Sequence, residues 1–250
     1  MILYLTSSPC VIRADRALLN PQNGFLDLLK ADIRPGSKCL YVASSPDDPT
    51  ANRRYSWDMY NAFAEAGMLF REMRVLQRDT MQDAAALIGW SDLIILAGGH
   101  VPTQNDFFAE CNLRQLLQGY RGVVMGISAG SMNCAEEVYA QPEMPGETLD
   151  PEYRRFVPGL ALTKFQILPH YQQVKDDILD GKRLYEDITF EDSCGRSFLV
   201  LPDGSYVCVR NGISMLQGEA YLLSNRKMRK ICTDGQSAVL QNMILEGKYQ

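Results

Sequence analysis

The residues best suited to chemistry in this chain are one serine, two histidines and a few acids downstream of them. Ser128 lies in Gly126-Ile-Ser128-Ala-Gly130, a G-x-S-x-G pattern. A serine in that setting can attack an acyl carbon when it sits on a tight turn between a strand and a helix. Small neighbours let the chain turn and let a substrate approach. The helix that follows would aim free N–H groups at the reacting atoms. The N–H of Ala129 is placed to donate to an oxyanion, and Gly99, in Gly98-Gly99-His100, could supply a second donor.

A serine hydroxyl needs a base, and the chain has only two histidines, His100 and His170. His170, in Leu168-Pro-His170-Tyr171, follows an apolar run and is the preferred base. His100 reads as a pocket or helix-cap residue. The orienting carboxylate is open among Asp203, Glu191 and Asp192. Asp203, in the turn Leu201-Pro-Asp203-Gly204, is preferred because a turn after a packed strand holds its side chain rigidly.

These groups need a scaffold that carries them on loop ends. Short apolar runs alternate with amphipathic stretches over the first half of the chain. Strands are predicted over residues 2–6, 39–43, 69–76, 93–97 and 123–126, and helices over 24–33, 50–66, 81–88 and 105–118. Leu93-Ile-Ile-Leu-Ala97 is almost purely aliphatic, as a strand buried on both faces of a parallel sheet is. The order predicts an α/β fold, a three-layer arrangement of a parallel sheet with helices on both faces. The run 160–168 is expected to end at that same sheet edge, beside Ser128.

After about residue 195 the rhythm changes to short runs separated by Pro202-Asp203-Gly204, Asn211-Gly212 and Gly218-Glu219. These read as antiparallel hairpins, an extension over residues ~205–250 at one sheet edge of a single domain 1–250. Residues 141–158 carry four prolines and read as a long irregular loop.

Composition narrows the function classes. The net charge is −5 with scattered basic residues, which speaks against nucleic acid as partner. The seven cysteines are widely spaced, with no C-x-x-C pair, so neither a disulfide framework nor a metal site is expected. Free thiols fit a cytoplasmic location. The first residues read as a strand, not a signal peptide, and no apolar run is long enough for a membrane span. No cofactor is called for.

Leu96-Ala-Gly-Gly-His100, Gly126-Ile-Ser-Ala-Gly130, Pro169-His170-Tyr171 and Leu201-Pro-Asp203-Gly204, in that order, resemble the peptidase E (α-aspartyl dipeptidase) and cyanophycinase family over about residues 1–210. The resemblance implies a class I glutamine amidotransferase-like fold with serine in place of cysteine. It also implies a Ser–His–acid triad without metal, and it maps the family's acid onto Asp203. It further maps a pocket acid onto Glu143, in Glu143-Met-Pro145, and a substrate-binding arginine onto Arg183. A second family arginine is replaced here by acidic residues, and the last forty or so residues have no counterpart.

The expected activity is hydrolysis of dipeptides or short peptides through an acyl-enzyme on Ser128. An esterase or amidase of the same mechanism, or a non-catalytic binding protein on this fold, are the alternatives. A homo-oligomer is compatible with the sequence.

Overall fold

The computed structural model describes residues 1–240. Twelve strands build its two main sheets. They are β1 (Ile2–Thr6), β2 (Lys38–Val42), β3 (Glu72–Leu76), β4 (Leu93–Leu96), β5 (Val123–Ile127), β6 (Gln166–Leu168), β7 (Ser197–Val200), β8 (Tyr206–Arg210), β9 (Ile213–Gln217), β10 (Ala220–Ser224), β11 (Lys227–Cys232) and β12 (Ser237–Val239). The larger sheet runs β12-β9-β8-β1-β5-β4-β2-β3. From β1 to β3 every pairing is parallel, and from β1 outward to β12 every pairing is antiparallel.

Alternation along the parallel strands explains the layering, because successive side chains point to opposite faces. Leu3, Leu5, Leu40, Val42, Ile94, Leu96 and Val124 share one core cluster. Opposite them lie α3 (Ala84–Trp90), α4 (Val101–Glu110) and α5 (Leu113–Leu117), through Leu87, Ile88, Phe107, Phe108, Leu113 and Leu117. Tyr4, Cys39, Tyr41, Leu93, Ile95 and Met125 face the other way. They pack on Phe25 and Leu29 of α1 (Phe25–Asp32) and Ala62 and Phe63 of α2 (Pro49–Glu65). The expected three-layer α/β arrangement is therefore present. The helical stretch 105–118 is broken at Asn112, which is left-handed at φ 53°, so two helices stand where one was expected.

The second half differs more from expectation. Of the three turn signals, only Asn211-Gly212 closes a hairpin, with both residues at positive φ and Arg210 opposite Ile213. Pro202-Asp203-Gly204 and Gly218-Glu219 instead carry the chain between sheets. The reason is β6, which does not join the main sheet. It pairs in parallel with β7, and β7, β10 and β11 complete a second sheet in the order β6-β7-β10-β11. One face of this sheet, through Ile167, Leu199 and Leu201, joins the core beside α3–α5. Its other face, through Leu168, Phe198, Val200 and Leu223, makes a third core with Tyr139 and Tyr185. The antiparallel segment at 205–250 thus serves two sheets, and its part beyond residue 240 lies outside the described residues.

Two short hairpins were not legible. Cys10–Arg13 with Arg16–Leu19 turns through Ala14-Asp15, and β10 with β11 turns through Asn225-Arg226. All four turn residues have positive φ without a glycine. The 141–158 stretch is irregular up to Phe156–Pro158, a strand that pairs with Glu137–Tyr139. Asp180 pins the loop by accepting hydrogen bonds from the Gly146 and Thr148 amides and the Thr148 hydroxyl. Among the described residues no helix is long and apolar enough to cross a membrane.

Candidate active site

β5 delivers Ser128, and α6 (Ala129–Met132) starts immediately after it. Ser128 has φ 49° and ψ −113°, a conformation that costs a non-glycine residue on the order of 1–3 kcal/mol. The turn is held from the neighbouring strand end, where the carbonyls of Thr6 and Ser7 both accept from the Ser128 N–H at 3.1 Å. The Ser131 hydroxyl adds a bond to the Thr6 carbonyl at 2.8 Å. The two glycines of the pattern are required by contact. A Cβ at Gly130 would stand 2.2 Å from the Leu96 carbonyl oxygen, and one at Gly126 would stand 2.7 Å from the Ser131 backbone. Both obstacles are backbone and cannot swing aside. Gly130→Ala is therefore expected to destabilise the protein by roughly 1–3 kcal/mol or more, read as a lower urea midpoint with an unchanged slope.

The turn after β4 reaches the same place. A Cβ on Gly98 would come 3.3 Å from the Ser128 Cβ, and Gly99 lines the cavity that Ser128 faces. Ala129 is the first residue of α6, so its N–H has no partner within the helix. Ala129 thus follows Ser128 directly, and Gly99 lines the same cavity.

His170 follows β6 and sits at φ 58°, while Asp203 follows β7. Because β6 and β7 are parallel neighbours, both side chains emerge at one end of the second sheet. His170 Nδ1 lies 2.7 Å from Asp203 Oδ1. Asp203 also accepts from the Ser7 hydroxyl at 2.6 Å, from Gln172 Nε2 at 2.7 Å and from Gln173 Nε2 at 2.6 Å. Burial pushes the Asp203 pKa up, but the hydrogen bonds from His170 and Ser7 outweigh it and hold the carboxyl below its ordinary value. Ser7 ties the two sheets together, because its hydroxyl oxygen also accepts from the His170 amide at 2.8 Å. Ser128 and His170 line one cavity of about 260 Å³.

A sheet-end serine on a strained turn, sharing a cavity with a carboxylate-held histidine, is an arrangement for acyl transfer. The model of peptidase family S51 matches residues 27–216. The chain belongs to peptidase family S51. It is a serine-type peptidase, as the resemblance to peptidase E implied.

No curated protein sequence matches this S51 peptidase. Solved structures similar to it in fold include two peptidases. One is a peptidase from an acI-B1 Actinobacterium, with a TM-score of 0.62, 17% identity, and coverage of 95% of this chain and 96% of that one. The other is a candidate peptidase E protein from Listeria monocytogenes EGD-e, with a TM-score of 0.58, 15% identity, and coverage of 92% and 98%.

The remaining expected residues of this S51 peptidase divide clearly. Glu143 lines the cavity. His100 is held between Thr103 Oγ1 and Glu147 Oε1, each 2.7 Å from a ring nitrogen, and is not among the residues that line the cavity. Arg183 is exposed and forks onto Asp187 at 2.6 and 3.0 Å, so it does not reach the cavity lining. Glu191 is paired with Arg226, and Asp192 with Tyr139 and Arg155. Neither hydrogen-bonds to His170, whose Nδ1 is taken by Asp203. Ser7, Gln172 and Gln173 escaped the sequence reading. Their only signals were position, Ser7 at the end of the first strand and the glutamines just after His170.

Proposed function

We propose that this S51 peptidase cleaves dipeptides and other short peptides through an acyl-enzyme on Ser128. His170 takes the hydroxyl proton as Ser128 Oγ bonds to the scissile carbonyl carbon. Asp203 holds the imidazole by Nδ1–H, which leaves the other nitrogen to face the serine and stabilises the imidazolium. The Gly99 and Ala129 amides receive the negative charge that builds on the carbonyl oxygen. His170 then returns its proton to the departing amine. Water enters with His170 again as base and releases the N-terminal product.

The observation that carries this reading is the strained turn of Ser128 opening on the cavity shared with His170, whose Nδ1 stands 2.7 Å from Asp203. The small cavity favours a short substrate, since sites for drug-sized ligands usually span ~300–1,000 Å³. All seven cysteines are unpaired, which fits a reducing, cytoplasmic setting.

Incubation of the full chain with a fluorophosphonate, followed by mass spectrometry of the digested protein, tests the reading. Stoichiometric labelling of Ser128 is the expected outcome. A folded protein that takes no label, or takes it on another serine, would refute it.

A further inference from the structure

The cavity at Ser128 is lopsided in charge. Val101, Met132, Val174, Leu179 and Leu184 give it an apolar wall. Besides His170, the ionisable side chains lining it among the described residues are Glu143 and Asp177, and no lysine or arginine is among them. The nearby arginines are committed elsewhere, Arg183 to Asp187 and Arg155 to Asp192 at 2.7 Å.

Glu143 stands out within this wall. His100, in the turn after β4, cannot serve as its partner, because both ring nitrogens are already occupied by Thr103 and Glu147. Glu147 itself is saturated by the Glu143 and Met144 amides and by His100. Among the described residues no lysine or arginine pairs with Glu143. Glu143 is exposed, yet its side chain lines the cavity together with Ser128 and His170 and meets no cation there. An ammonium group brought into the same cavity would supply the missing countercharge and gain charge-assisted hydrogen bonds. A second carboxylate would add like-charge repulsion in a partly desolvated space.

Building on the acyl-transfer reading, we propose that Glu143 binds the free N-terminal ammonium of the substrate and that the apolar wall takes an uncharged, hydrophobic first side chain. Peptides that begin with aspartate or glutamate are excluded. The substrate class is thus a short peptide with a free N-terminus and an apolar first residue.

Calorimetry on Ser128→Ala tests this without requiring turnover, using Leu-Ala, N-acetyl-Leu-Ala and Asp-Ala as ligands. Leu-Ala is expected to bind about 10- to 100-fold more tightly than either of the others, the size of a lost charged hydrogen bond. Glu143→Gln in the same background should shrink the gap between Leu-Ala and its acetylated form by about tenfold or more. Asp-Ala binding as tightly as Leu-Ala, or an acetylated ligand binding as well as the free one, would overturn the proposal. So would a gap that Glu143→Gln leaves unchanged. The ligand series stands without that variant if it does not fold. Fluorophosphonate labelling of Ser128 is independent of all three ligands, so failure here with labelling intact rejects the specificity and leaves the nucleophile.

Discussion

Ser128→Ala is expected to lower turnover of a short peptide by about a millionfold, the scale seen when a serine nucleophile is removed from a triad. Among the described residues no other hydroxyl side chain lines the cavity, and the Ser131 and Ser7 hydroxyls are spent on the Thr6 carbonyl and on Asp203. Stability should change little. The strain at Ser128 comes from a backbone held at φ 49° by the Thr6 and Ser7 carbonyls, and alanine keeps both the Cβ and that backbone. Single-turnover kinetics and a urea melt on the same preparation check both halves. A variant that melts like the parent yet turns over within tenfold of it would remove Ser128 from the mechanism.

Asp203→Asn is expected to cost about a thousandfold or more in turnover, while substrate binding changes far less. Asparagine can offer His170 Nδ1 an N–H in place of an acceptor, which favours the wrong tautomer, and it cannot stabilise the imidazolium. The variant also carries a pH signature. Because hydrogen bonds hold the Asp203 carboxyl below its ordinary value in the folded chain, it binds fewer protons folded than unfolded in the acidic range. Its contribution to stability is fully present above the unfolded carboxyl pKa of about 3.9 and is lost as the pH falls through the lower folded value. The stability difference between parent and Asp203→Asn should therefore be constant near neutrality and shrink below about pH 4. Urea midpoints measured from pH 7 to pH 3 would show this. Glu191→Gln and Asp192→Asn, whose carboxylates pair with Arg226 and with Arg155 and Tyr139, should leave turnover within a few-fold of the parent.

The parallel half of the fold was readable because its signals are local. A run such as Leu93-Ile-Ile-Leu-Ala97 is buried on both faces wherever it sits in a parallel sheet, and the strand–turn–helix around Ser128 needs its glycines for contacts within one turn and the next strand. Types and spacing alone therefore determined the α/β class and narrowed the candidates for chemistry to one serine, two histidines and a few acids. The partnership of β6 with β7 depended on which strand the run 166–168 would meet, and no pattern within that run distinguishes the main sheet from a second one. That pairing decided that His170 and Asp203 emerge side by side, whereas Glu191 and Asp192 turn away to arginines. It also explains why Ser7 was missed: a serine at the end of a first strand is ordinary until a second sheet brings a histidine amide and a carboxylate to its hydroxyl. Arg183 shows the converse, since motif correspondence put it near substrate while an aspartate four residues on captures its guanidinium. Local chemistry is written in short stretches of chain, but long-range pairing chooses which of those stretches face one another, and that choice depends on the packing of the whole core.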